Sequence, residues 1–146
     1  MKIRIFILIV IALAFTMAAQ FVDTPTAADS IGERPGLFRA TLISPAAGQV
    51  VHPGDVIKVE WTALVPPIDP SRCETEIALS IDGGTGYPWI ITPELNGSIR
   101  KFYWTVPNRP TNQAVLLIRY GCWLEFNEAL SPQTGSMFVI APLPAE

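Results

Sequence analysis

Between Leu37 and Ala141 the apolar residues recur at every second position in short runs, and each run is bounded by Pro, Gly, Asn or Asp. Such alternation gives an extended chain one dry and one wet face, and it predicts strands. Asp55–Ala63 puts Ile57, Val59 and Trp61 on one face and Lys58, Glu60 and Thr62 on the other. Glu74–Asp82 turns Thr75, Ile77, Leu79 and Ile81 inward and Glu74, Glu76, Ser80 and Asp82 outward. Leu37–Ile43, Tyr87–Ile91, Ile99–Val106, Ala114–Cys122 and Ser136–Ile140 complete a set of about seven strands. The expected fold is an all-β, antiparallel sandwich of immunoglobulin or fibronectin-III type over residues 37–142, followed by a short tail at 143–146.

The N-terminus breaks this pattern. Lys2 and Arg4 precede an apolar run from Ile5 to Phe15, and small residues follow around Ala18 and Ala19. That order is the layout of a secretory signal peptide, here residues 1–19, and the apolar run falls short of the roughly 20 residues a membrane span requires. Membrane contact is expected only through this segment, if it stays uncleaved. Residues 20–36 lack periodicity and read as a flexible lead-in. The expected location is secreted, periplasmic or in the cell envelope.

Composition changes the picture in two ways. Fourteen prolines and ten glycines spread along the chain nearly exclude long helices. The mean hydropathy of +0.34 owes most of its sign to the leader and does not indicate a membrane protein. Removing Lys2 and Arg4, two positive charges, takes the formal charge from −3 to about −5, and the remaining cations are scattered. Nucleic acid is therefore a poor partner.

Cys73 and Cys122 are the only two cysteines, and in an exported chain such a pair forms a disulfide. Cys73 shares the inward alternation of Thr75, Ile77 and Leu79, and Cys122 that of Ile118 and Tyr120. In a sandwich of this order the strand opened by Cys73 lies antiparallel to the strand closed by Cys122, so the two meet. The bond differs from the usual inter-sheet bridge of antibody domains.

Three stretches, Ile57-Lys58-Val59-Glu60-Trp61-Thr62, Leu79-Ser80-Ile81-Asp82-Gly83-Gly84 and Tyr103-Trp104-Thr105-Val106-Pro107, together resemble secreted Ig-like/fibronectin-III-like modules of bacterial extracellular proteins. They are more loosely similar to the N-terminal module of the yeast cell-wall glucan-synthesis family. The resemblance implies a non-catalytic binding or spacing module. Residues 80–87 also resemble an Asp-box hairpin: Ser80, Asp82 and Gly84 fit, while Thr85 comes one place early and Tyr87 stands where Trp belongs.

Asp82 with Gly83 and Gly84 is expected to be a structural turn, since the carboxylate can accept loop N–H groups and glycine tolerates positive φ. A calcium or ligand contact is the weaker alternative, because calcium wants several oxygen ligands. No catalytic residue, metal site or cofactor is expected. His52 is the only histidine and sits in a Pro-Gly turn, and Glu125 with Glu128 is only a remote acid/base candidate.

Sandwich topology gathers the connections at 64–72 and 123–135, the B–C and F–G loops of such folds, with 92–98 at one end. The Asp82 turn and residues 107–113 fall at the other. The 123–135 stretch is the longest irregular one, and long loops in compact domains are often functional. Its Trp123, Leu124 and Phe126 either pack over the open end of the core or form an exposed patch. Trp123, Glu125, Phe126, Pro67 and Arg72 are thus the candidate surface for an unknown extracellular or envelope protein. The alternative is a carbohydrate-binding module using Tyr87, Trp89 and Trp123, with the facing of Trp89 left open.

Overall fold

The computed structural model describes residues 38–143; the leader at 1–19, the lead-in at 20–36 and the tail beyond Leu143 lie outside the described residues. Ten strands appear in chain order: β1 (Arg39–Ser44), β2 (Val50–Val51), β3 (Val56–Leu64), β4 (Cys73–Ser80), β5 (Trp89–Ile90), β6 (Leu95–Asn96), β7 (Lys101–Thr105), β8 (Thr111–Cys122), β9 (Phe126–Pro132) and β10 (Phe138–Ile140). They form a three-stranded sheet of order β1-β3-β7 packed on a seven-stranded sheet of order β2-β10-β8-β4-β5. In the larger sheet β6 also pairs with β4, and β9 also pairs with β8. The protein is an all-β, two-sheet sandwich.

The core follows the alternation. Leu42, Val59, Trp61 and Trp104 come from the small sheet, and Ile77, Leu79, Leu116, Ile118, Phe138 and Ile140 face them from the large one. Burying each large apolar side chain contributes about 1.5–3 kcal/mol. A second, smaller cluster closes one end: Tyr120 stacks on Phe38 at 5.1 Å between ring centroids, and Cys73, Cys122, Val65, Ile68 and Phe126 surround it. β8 is buried along five consecutive residues, Ala114–Ile118, because it is central in its sheet, with β4 on one edge and β9 and β10 on the other.

Several expectations need correction. The 123–135 stretch is not one irregular loop. Its middle is β9, antiparallel to β8 from Leu117↔Pro132 to Cys122↔Phe126. The last strand is shorter than Ser136–Ile140, because Thr134–Ser136 is a 3-10 turn between β9 and β10. The expected strand at Tyr87–Ile91 shrinks to Trp89–Ile90, and a second short strand, Leu95–Asn96, continues along the same edge of β4. The ladder is not wholly antiparallel, since β10 pairs in parallel with β2.

One polar side chain ties the two sheets. Gln133 lies at the break between β9 and β10 and is only 7% exposed. Its Oε1 accepts the Leu42 N–H at 2.9 Å, and its Nε2 donates to the carbonyls of Ala40 at 3.2 Å and Ser131 at 2.8 Å. Ser131 Oγ also accepts the Ala40 N–H at 3.2 Å. These side chains thus occupy backbone groups of β1 much as a neighbouring strand would, which protects an edge otherwise open to pairing.

Candidate interaction site at the disulfide end

The end closed by the Tyr120 cluster is assembled from three chain segments. A 3-10 turn at Pro70–Arg72 begins on Asp69, whose carboxylate accepts the Ser71 N–H at 2.9 Å. That bond holds the Asp69 carboxyl below its ordinary range. Cys73 follows at once and is bonded to Cys122, its direct cross-strand neighbour. The Gly97 N–H donates to the Cys73 carbonyl at 2.8 Å, and a Cβ at Gly97 would lie 2.6 Å from that of Cys73. Only glycine lets the 96–98 turn approach so closely.

Beyond Cys122 the chain reverses into β9. The Trp123 N–H donates to the Arg72 carbonyl at 2.9 Å, and the Arg72 guanidinium pairs with the Glu125 carboxylate. The β8–β9 hairpin is therefore fixed to the 70–72 turn by a disulfide, a backbone hydrogen bond and an ion pair. At its tip Trp123 is 76% and Leu124 is 92% exposed, and Leu124 has φ +60°. It is the only non-glycine positive φ among the described residues. Left-handed backbone costs an L-residue about 1–2 kcal/mol, so a hairpin selected for stability alone would carry glycine or asparagine here.

The apolar residues of this segment divide. Phe126 is half-buried and tilts against Tyr120 at 6.3 Å between centroids, so it serves the end cluster rather than the surface. Trp123 and Leu124 project outward. Pro67 is exposed in the preceding connection, and Arg72 and Glu125 stand beside the hairpin as an ion pair. The significance of Leu124 was hidden in the sequence, because a loop leucine gives no sign of its φ angle. A run of two apolar residues at a hairpin tip was its only trace.

The adjoining outer sheet face is charged. Arg119 on β8 bridges Glu76 on β4, at 3.1 Å, and Glu128 on β9. Glu74 lies two residue pairs nearer the tip, on the same face and opposite Gly121. Its carboxyl is raised above the usual range, chiefly by desolvation and then by Glu94, Glu76 and Glu128. A groove of about 560 Å³ lies between the 71–74 segment and the hairpin, with Gly121 in its lining.

The alternative sugar-binding residues do not come together. Trp89 packs partly into the core, and the Arg109 guanidinium lies 4.1 Å from its ring centre. The Tyr87 hydroxyl is buried without a hydrogen-bond partner among the described residues, and burial raises its pKa. Both belong to the region of the Asp82 turn, whereas Trp123 follows Cys122 at the opposite end of the β4–β8 ladder. Glu125 and Glu128 pair with different arginines, Arg72 and Arg119. His52 is exposed, its backbone N–H donating to Asp55 Oδ2 at 2.8 Å. Among the described residues no cluster of His, Cys, Asp or Glu is arranged to hold a metal ion.

The Asp82 turn is tightly organised. Asp82 Oδ1 accepts the Ser80 hydroxyl at 2.5 Å and the Gly86 N–H at 3.1 Å, while Ser80 Oγ accepts the Gly84 N–H at 2.9 Å. Gly83 and Gly84 take φ of +76° and +93°. The Ser80 and Gly86 bonds lower the Asp82 carboxyl from its ordinary 3.8. A carboxyl with a depressed folded-state value stabilises the fold above its unfolded value and loses that contribution as pH falls through the lower, folded one. Thermal denaturation followed across about pH 5 to 2 should therefore show a smaller acid loss in Asp82→Asn than in the wild type.

The disulfide points to an oxidising, extracytoplasmic location. Among the described residues no helix is long and apolar enough to cross a membrane. Comparison of the chain with protein-family models and with curated proteins found no match.

Proposed function

We propose that this protein is an exported, non-catalytic Ig-like/fibronectin-III-like module that binds a protein partner through the β8–β9 hairpin end. The two-sheet arrangement supports that kind of sandwich, with β1, β3 and β7 on one side and β4, β8 and the interrupted β9–β10 strand on the other. The leader sequence and the disulfide support export. The observation that carries the binding assignment is Leu124, held at positive φ and almost wholly exposed beside an exposed Trp123. Backbone strain at an exposed apolar pair has no use in folding and suits a contact residue. Exposed tryptophan on a rigid frame is also a frequent binding hot spot, since little conformational entropy is lost on contact.

Leu124→Gly separates the two roles. It removes the left-handed penalty of about 1–2 kcal/mol and adds unfolded-state entropy worth about 0.5–1 kcal/mol, so stability stays level or rises slightly. Affinity for a partner isolated from the native extracellular or periplasmic fraction should fall about tenfold or more, as it should for Trp123→Ala. Calorimetry on the purified pair, with thermal melts of each variant, gives both readings. Unchanged affinity in both variants rejects the hairpin as the binding site.

A further inference from the structure

We infer that the segment of the protein partner seated against Trp123 and Leu124 carries a lysine or arginine side chain that enters the adjoining groove and meets Glu74 and Glu94. This rests on the hairpin's being the binding site and adds the chemistry of what it binds. The groove lies directly beside Trp123, with Gly121 and Cys122 in its lining and Glu74 and Glu94 along it. Gly121, the cross-strand neighbour of Glu74, puts no side chain into the groove, and a Cβ there would lie 3.6 Å from the Glu128 backbone of β9.

Charge selects the occupant. Arg72 is engaged by Glu125, and Arg119 is shared by Glu76 and Glu128. Among the described residues Glu74 and Glu94 have no cationic partner. An exposed apolar tip beside unneutralised carboxylates suits a partner that offers apolar surface next to a positive charge, and like charges repel the alternatives. The chain's own 20–36 segment carries Asp23, Asp29 and Glu33 against a single Arg34, the same sign as the groove. An anionic lipid surface is repelled in the same way.

The test uses the full chain, immobilised, against a phage-displayed library of random peptides at about 50 mM salt, where surface charge is weakly screened. Peptides whose binding is lost on Trp123→Ala should be enriched about threefold or more in lysine and arginine. A selected peptide should bind about tenfold more weakly to Glu74→Gln/Glu94→Gln, and comparably weakly when its lysine or arginine is replaced by norleucine. Thermal melts should show the double variant at least as stable as the wild type, because neutralising Glu74 removes repulsion. Trp123-dependent peptides without cationic enrichment, or with affinity unchanged in the double variant, overturn the inference while leaving the hairpin as the binding site. Recovery of no Trp123-dependent peptide, or Trp123-dependent binding to phosphatidylcholine vesicles only, overturns both.

Discussion

Replacing Cys73 and Cys122 together by alanine should lower the free energy of unfolding by about 4 kcal/mol, the chain-entropy value for a loop closed across the observed separation of 49 residues. Against a total of about 5–15 kcal/mol for a typical domain, this is a large share. The bond matters beyond chain entropy because of what lies around it. It joins the start of β4 to the end of β8, and Tyr120, Phe38 and Phe126 pack about it. Loss of the bond should therefore loosen the hairpin that presents Trp123 and Leu124 before it loosens the larger core. Urea unfolding of the double variant should match that of the reduced wild type. Native-state hydrogen exchange should show the Trp123 N–H losing protection more than amides of β3. A double variant as stable as the oxidised wild type would show that the disulfide is dispensable for the fold.

Gln133→Leu should cost about 2–4 kcal/mol, despite placing an apolar side chain at a buried position. The reason is the backbone that Gln133 serves. Leucine cannot accept the Leu42 N–H or donate to the Ala40 and Ser131 carbonyls, and a buried group left unsatisfied costs about 1–3 kcal/mol. Gln133→Glu retains the acceptor toward Leu42 but replaces the donating amide by a second oxygen facing two carbonyls, so it should be no better at neutral pH. Equilibrium denaturation compares the three proteins. A cost below about 0.5 kcal/mol for the leucine variant would mean that Gln133 is incidental to the junction between β1 and the β9–β10 break.

Gln133 also marks the limit of what local pattern discloses. In the middle of β3 and the first half of β4 the inward Val59, Trp61 and Ile77 alternate with outward Lys58, Glu60, Thr62, Glu74 and Glu76, so alternation identifies these strands and their facing. In β8, by contrast, the outward Val115 and Leu117 are buried as well, and Ser80, expected to face outward, is fully buried at the end of β4. In β9 the alternation fails. Beyond Phe126 and the register shift that follows it, the inward positions hold Ala129 and Ser131 and the outward ones Glu128, Leu130 and Pro132, because this part of the sheet meets β1 through hydrogen bonds rather than through apolar packing. A strand whose inner face is small and polar carries no period-two hydrophobic signal, and residues 123–135 accordingly resemble a loop. The parallel pairing of β2 with β10 is invisible for a different reason: Val50 and Val139 stand far apart in the chain, and nothing near either one specifies the other.

The candidate site divides along the same line. The pairing of Cys73 with Cys122 and the turn chemistry of Ser80, Asp82 and the glycines are readable from residue types and parity, since both are consequences of strand alternation and of local hydrogen bonding. The sequence by itself determined an all-β chain, its principal inward faces, its disulfide and its tightest turn. Only the tertiary structure decided that Phe126 packs on Tyr120 while Trp123 and Leu124 stand in solvent, that Leu124 takes a left-handed backbone, and that Glu74 and Glu94 border the same groove. Those properties depend on which strands become neighbours and on which edges remain uncovered, and these are set by contacts between residues distant in the chain.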